Sequence, residues 1–562
     1  MSGSNSYREL EYFLENTQFY KNIILKWIIN QRWSGLKDKN INSISIIDKF
    51  IIKISSNEFL VFLNIGIETD LGTDNINKNS RIEFFIPFLF STTKNEFSIS
   101  ELEKMGKKFY FSYANHHIKY YNRLLDYLIS SKEFVSIRNL RLCFNLIDKN
   151  FASSEAENFK IMGGGDTTNS VIMLKLKNYP PVILKEYRVL KKQREVSILK
   201  FLNDINYPYS PKIIGTINYR RLKTDNTVGI IIEYIKSIGD GGILFWKNLT
   251  EKLELIYNKK LQISNTNEFE ELLINDAELA IIIKNLVNTI VLFHNVMTKF
   301  DDKIEYYNED DVNVFHRLTD EMVLKIHEKI QDLNDVRHKN LIKEVYSETF
   351  DKNSFIHKDF QWRHNLCGIM KIHCHQDLHF IQMLTHIKNG VPCFYIIDLE
   401  GDPQLSYEMK MRKDIVFRDI ASLITALLYM KFSALKELYY KLFQGQRDLF
   451  KDYYFIKKLG NHNIENFESI HKIDPKIFQI MQFSDSWTRF VSDQIIKEYF
   501  NKYELKFKNK FPDISKSDII SKGMKLYILD RAVRELKYEL QFRPENSMIP
   551  MLIIWEYANQ KY

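Results

Sequence analysis

His373-Cys374-His375-Gln376-Asp377-Leu378-His379-Phe380-Ile381-Gln382, followed by Ile396-Ile397-Asp398-Leu399-Glu400-Gly401, is the stretch from which the rest of the chain is read. Two acids, Asp377 and Asp398, stand about a short hairpin apart, each beside apolar residues. Gln382 lies five positions after the first acid. Phosphoryl transfer to a hydroxyl needs such a set. One carboxylate receives the proton of the attacking hydroxyl, while an amide and a second carboxylate hold the magnesium that screens the phosphates. Asp377 is the candidate general base, in a loop after Ile369-Met370-Lys371-Ile372, with His375 placed to pin that loop. Gln382 and Asp398 offer the oxygen ligands that Mg2+ prefers. An isolated Asp in a polar loop is ordinarily only solvated. The company of Gln382, and of an Asp398 that ends an apolar strand, favours the functional reading.

Upstream, Lys185 ends the apolar strand Val182-Ile183-Leu184, and Glu195 follows in a helical segment with Val196, Leu199 and Leu202. A strand lysine paired with a helix glutamate places an ammonium on the α- and β-phosphates of ATP. Locally, Lys185 also reads as a surface lysine; its place ahead of the hinge-like Ile232-Glu233-Tyr234 favours nucleotide binding. Gly163-Gly164-Gly165-Asp166-Thr167-Thr168-Asn169-Ser170 precedes the first strand of this region. Its glycines and small hydroxyls let backbone amides approach phosphate, although such a segment taken alone is more often a plain turn.

Between about residues 144 and 238 the pattern is strand-rich, and after Gly241 it is mostly helical. Ile283, Leu286, Val287, Ile290, Val291 and His294 recur at spacings of three and four, as on an amphipathic helix. The expected fold is α+β: a bilobal protein-kinase-like fold with an N-terminal cap subdomain (1–143), a small β-rich N-lobe (144–238) and a large helical C-lobe (239–562). The nucleotide is expected in the cleft between the lobes.

The 79 basic and 71 acidic groups leave a net charge of +8 spread along the chain. No compact Lys/Arg block interleaved with aromatics points to nucleic acid. Four cysteines in 562 residues fit a reducing compartment rather than a disulfide framework. The polar, acidic start is unlike a signal peptide, and the best apolar run, Ala280 to Met297, is interrupted by Lys284 and Asn285. A cytoplasmic protein with no membrane partner is expected; oligomeric state is not legible. Of the histidines and cysteines between His357 and His379, only His375 and His379 have H-x-x-x-H spacing, which disfavours zinc. Cys374 and Cys393 read as buried small apolar residues.

These residues resemble the bacterial maltokinases, relatives of the aminoglycoside phosphotransferases in the protein-kinase-like superfamily. Gln31-Arg32-Trp33-Ser34-Gly35-Leu36-Lys37 is similar to the family's cap motif, and Asp166 to Ser170 to its nucleotide loop. Asp240-Gly241 and His294 have counterparts. His375 to Gln382 resembles His-Gly-Asp-x-His-x-Gly-Gln, and Ile397-Asp398-Leu399-Glu400-Gly401-Asp402-Pro403 resembles Ile-Asp-Phe-Glu-Gly-Glu-Pro. Arg412-Lys413-Asp414, Arg418-Asp419-Ile420-Ala421, Tyr538-Glu539, Arg543-Pro544 and Ile549-Pro550 continue the match. Three positions depart: Gln376 and Ile381 replace glycines, and His373 replaces an arginine.

The resemblance implies an ATP- and Mg2+-dependent kinase acting on a small-molecule sugar, forming maltose 1-phosphate. It implies sugar contacts at Glu539, Arg543 and His379, and an Asp419 that caps its helix and braces the catalytic loop. Two other readings keep the fold: an amino-sugar (glucosamine) or aminoglycoside kinase, and a degenerate pseudokinase that binds nucleotide without transfer. The side chains at 376 and 381 are the support for the last.

Overall fold

The computed structural model describes residues 3–37, 39–70, 79–104, 107–153, 155–162, 169–258, 266–333, 338–350, 360–460, 475–508 and 515–559. Asp166, Thr167 and Thr168, with the glycines before them, lie outside this set. The chain divides into two compact units. The first comprises Met1–Asn206 and Ser210–Ile235, the second Tyr207–Tyr209 and Lys236–Tyr562.

In the first unit, β1 (Ile41–Lys53), β2 (Glu58–Asp70), β3 (Asn79–Ser91), β4 (Ser98–Lys104) and β5 (Lys107–Tyr113) form a sheet of order β1-β2-β3-β5-β4. The near-continuous apolar run of β2 needs cover on both faces, since successive side chains point to opposite sides. Phe59, Val61, Leu63, Ile65 and Ile67 pack with Leu10, Phe13 and Leu14 of the helix Gly3–Glu15. Leu60 and Phe62 turn the other way, onto Tyr120, Leu124 and Leu128 of the helix Ile118–Ile129.

That second core continues into a seven-stranded sheet through Leu142, Ile172, Leu174, Val182 and Leu184. Its strands are β6 (Glu133–Val135), β7 (Arg141–Leu146), β8 (Ala156–Met162), β9 (Ser170–Leu176), β10 (Val182–Glu186), β11 (Ile213–Arg220) and β12 (Asp225–Glu233). They run in the order β6-β7-β11-β12-β10-β9-β8. Phe85 N donates to Arg188 O (2.8 Å) and Leu190 N to Glu83 O (2.8 Å), joining β3 to the segment after β10. The cap and the strand-rich region therefore share one core, and β7 runs across the 143/144 division drawn from sequence.

The second unit is helical, apart from β13 (Gly239–Asp240), β14 (Glu305–Tyr306), β15 (Met370–Lys371), β16 (Met383–Lys388) and β17 (Val391–Ile396). The helix Ala277–Met297 begins at Asp276, whose side chain accepts from Leu279 N as an N-cap. By length and composition it could cross a membrane, yet it packs in this unit, with Ile283, Leu286, Val287, Ile290 and His294 buried. Gly241 closes on the loop from His375 to Gln382: its N–H faces Phe380 O at 2.9 Å, and a Cβ there would meet Met383 Cβ at 2.8 Å. Only glycine fits that approach.

Candidate active site

In the first unit, Lys185 occupies the interior of its sheet, opposite Val171 of β9 and Ile230 of β12. Its Nζ lies 2.7 Å from Glu195 Oε2, in the first turn of the helix Arg194–Asp204, and both side chains are buried. The Tyr187 hydroxyl donates to the same oxygen at 2.7 Å. A buried lysine is costly unless paired, so this contact answers its desolvation. Ser170 opens β9 opposite Glu186, and Asn169 precedes it. Glu233 ends β12, where its carboxylate accepts from Lys212 N at 3.3 Å, and half-buried Tyr234 follows.

In the second unit, the candidate catalytic loop, His375 to Gln382, is tied down from beneath. Asp419 is fully buried and accepts three hydrogen bonds. Oδ2 takes His375 N (2.7 Å) and His294 Nε2 (3.0 Å), and Oδ1 takes Gln376 N (2.7 Å). Burial would raise its pKa, but the bond to His294 and the surrounding donors hold it below the ordinary carboxylate range. Asp419 does not cap its own helix. Phe417–Phe443 starts after Val416 without a side-chain cap, and the carboxylate is spent on the loop instead. His375 Nε2 faces Ile397 O at 2.9 Å, and a carbonyl only accepts, so the proton sits on Nε2. Nδ1 is then the acceptor facing Asp377 N at 3.4 Å.

Gln382 and Asp398 flank the same end of the β16–β17 hairpin. Ile397 N donates to Gln382 O at 3.0 Å, one step beyond the Met383–Ile396 pair. Asp398 adopts φ +55°, a left-handed conformation that Asp tolerates better than most residues. A carboxylate and a carboxamide are thus carried at one hairpin end, and both side-chain types offer the oxygen donors that Mg2+ prefers.

The two departures at family glycines resolve differently. Gln376 has φ +77°, so the backbone there does take the conformation that favours glycine. Its Nε2 donates to Lys410 O (2.9 Å) and Arg412 O (3.2 Å), which offsets a strain of about 1 kcal/mol. Ile381 stays out of the left-handed region, and it is 67% exposed, so it does not fill the core of the site. His373, at the family arginine, places Nε2 2.8 Å from Asp301 Oδ2. Cys374 is buried as expected, whereas Cys393 is half-exposed. Among the described residues, no histidine or cysteine joins a cluster of metal-ligating groups.

Asp377 itself is buried, with Oδ1 2.8 Å from Arg531 Nη1 and Oδ2 3.6 Å from His379 Nε2. Burial alone would raise its pKa; Arg531 first and His379 next reverse this and keep the carboxyl well below its usual range. Arg531 also meets Glu535 Oε1 at 2.6 Å, and Arg543 Nη2 meets Glu539 Oε1 at 3.0 Å. Arg531, Glu535, Glu539 and Arg543 recur every four residues on or at the end of the helix Lys516–Phe542, and so share one stripe. That spacing is legible in the sequence, although Arg531 and Glu535 were not singled out there. Tyr429, from the facing helix Phe417–Phe443, feels all four charges; its hydroxyl and Glu539 Oε2 are buried without hydrogen-bond partners.

Two expected results follow from these charges. Replacing Arg531 by Met removes the guanidinium that opposes burial, so the acid limb of any pH–rate profile governed by Asp377 moves to higher pH. Neutral-pH turnover falls about ten- to hundredfold through misplacement of the carboxylate. A profile with an unmoved acid limb would contradict this role. Separately, burial lifts Glu539 to about 7, with Arg543 opposing and Glu535 adding to the rise. The proton held in the folded state contributes stability that is whole below the ordinary 4.5 and is lost as pH rises through about 7. Urea denaturation of Glu539→Gln is expected to show a flatter pH dependence between those values than the parent.

No family model matches this chain, and no curated protein matches it. Solved structures do. A glucosamine kinase in complex with glucosamine, ADP and inorganic phosphate aligns over 93% of this chain and 95% of its own, with TM-score 0.51 and 10% identity. Crystal form A of glucosamine kinase aligns over 93% of both chains, with TM-score 0.50 and 10% identity. The chain is folded like a glucosamine kinase. A β-sheet lobe and a helical lobe, the α+β kinase-like arrangement read from sequence, are thereby shown. At this identity the likeness concerns the fold alone.

Proposed function

We propose that the protein is an ATP- and magnesium-dependent kinase that phosphorylates a hydroxyl of a small sugar. The observation carrying this is Asp377. It is a buried, ionised carboxylate held by Arg531, on a loop braced through Asp419; the helix stripe that supplies Arg531 also carries Glu539, whose Oε2, like the Tyr429 hydroxyl, is buried without a hydrogen-bond partner.

In this reading, Asp377 accepts a hydrogen bond from the acceptor hydroxyl and aims its oxygen at the γ-phosphate. A carboxylate held so low is a weak base, so its first duty is orientation. The proton passes to it late, as the new P–O bond forms in a loose transition state. Lys185, oriented by Glu195, holds the α- and β-phosphates, with Asn169 and Ser170 near them; Glu233 and Tyr234 take the adenine side. Gln382 and Asp398 hold magnesium, which when bound screens the phosphate charge. Glu539, Arg543 and His379 contact the sugar.

Maltose is the acceptor that the maltokinase resemblance supports, through Tyr538-Glu539 and Arg543-Pro544. An amino sugar is a second reading with an observation behind it. Asp377, Glu535 and Glu539 outnumber Arg531 and Arg543, and a carboxylate surplus suits an ammonium group. Labelled ATP with maltose, glucose and glucosamine at equal concentration separates the two. Transfer to maltose favours the first, transfer to glucosamine alone favours the second, and ATP binding with transfer to no sugar would sink both in favour of a pseudokinase.

A further inference from the structure

Strand β10 and the two residues after it present two faces, because successive side chains of an extended chain point to opposite sides. Lys185 and Tyr187 turn to Glu195. Glu186 and Arg188 turn the other way, to the cap. They are 3% and 2% exposed and pair with each other, Nη2 to Oε2 at 2.6 Å. Asn115 Nδ2 donates to the same oxygen, and the Tyr120 hydroxyl donates to Oε1. The Arg188 guanidinium lies 5.2 Å from the centroid of the Tyr113 ring, whose hydroxyl is 3.3 Å from Ser170 Oγ. Ser170 is in turn the cross-strand partner of Glu186. Three cap residues thus converge on the neighbour of Lys185 and on Ser170.

The backbone repeats the connection. Strand β2 takes one edge of β3 along its whole length, and β5 takes the other edge only at Phe88–Ser91. The chain after β10 fills the rest of that edge. Phe84 bridges Val189, Phe85 N donates to Arg188 O, and Leu190 N donates to Glu83 O. The connection from the strand of Lys185 to the helix of Glu195 is therefore anchored to the cap sheet at its middle. A buried ion pair is often no more stabilising than apolar side chains of similar volume, but it can restrict the chain to one alignment. Arg188 Nε and Asn115 Oδ1 are buried without partners, so stability alone does not account for this cluster.

We infer that the cap is a clamp on the Lys185–Glu195 pair, with Arg188 and Tyr113 as positioning residues. It holds β10 from the face opposite Glu195, holds the connection to the helix of Glu195, and holds Ser170. In protein kinases the corresponding pair is put in place by phosphorylation and helix movement. Here the chain's own N-terminal region does so, and no activating partner is required. This rests on the kinase reading, in which Lys185 meets the α- and β-phosphates.

The test is titration of the full chain with magnesium ADP, beside steady-state kinetics with labelled ATP. Glu186→Gln with Arg188→Met removes both charges at similar volume. It is expected to weaken ADP binding and raise the KM for ATP about tenfold, while kcat at saturating ATP and the KM for the sugar stay within about threefold. Tyr113→Phe loses only the hydroxyl facing Ser170 and carries the test if the charge pair is needed for folding; about a threefold loss of ADP affinity is expected. Leu10→Ala truncates a buried cap side chain outside the cluster. It is expected to lower the denaturation midpoint and leave ADP affinity within about twofold. Unchanged ADP affinity in a folded clamp variant, or an equal loss in Leu10→Ala, overturns the inference alone. No ADP binding by the parent overturns the kinase reading, and the inference with it.

Discussion

Asp377→Asn is expected to lower turnover by about two to four orders of magnitude, the usual range for a lost general base. Its effect on folding should be small, for a physical reason. Arg531 is shared between Asp377 and Glu535, so the guanidinium keeps a carboxylate partner when Asp377 becomes neutral. The new carboxamide can still accept from Arg531. What disappears is the site that takes the proton. Single-turnover kinetics with labelled ATP and the preferred sugar, beside urea denaturation of the same variant, measure the two effects. Turnover near the parent's would end the assignment of Asp377.

The largest loss of stability is expected at Asp419. Truncation to Ala strands His375 N, Gln376 N and His294 Nε2 in a region where Asp419 was fully buried. Each unmatched donor costs about 1–3 kcal/mol, so a loss of about 3 kcal/mol or more is expected, with activity falling in parallel because the loop loses its brace. His294 turns its other nitrogen to the Tyr499 hydroxyl at 2.6 Å, so it cannot swing away cheaply to find a new partner. The denaturation midpoint of Asp419→Ala is the measurement; a midpoint equal to the parent's would show that water replaces the carboxylate and that the brace is dispensable.

Much of this was readable from the chain. The loop from His375 to Gln382, the strand that presents Lys185, and the buried face of Ala277–Met297 all follow from local pattern, because short-range periodicity and charge placement determine them. Other features depend on contacts distant in sequence. The even-numbered face of β2 packs against a helix about sixty positions later and, through the same core, is joined to strands more than a hundred positions on, so the cap and the seven-stranded sheet could not be recognised as one core from local pattern. Asp419 reads as a helix cap by position, yet its carboxylate serves a loop more than forty residues upstream. Arg531 was legible only as one of many helix charges until the fold brought it to Asp377. Gln376 shows a third case. Its residue type conceals a backbone conformation that a glycine would have announced.

Gln376 also separates two quantities that are often taken together. Glycine at that position would relieve the left-handed backbone and, in the same step, cut the amide's tethers to Lys410 O and Arg412 O. Terms of about 1 kcal/mol with opposite sign nearly cancel, so melting would hardly register the change. Hydrogen exchange along Lys410–Asp414 would register it, because those amides would open more often while the protein as a whole stayed equally folded. The side chain there sets local breathing rather than global stability.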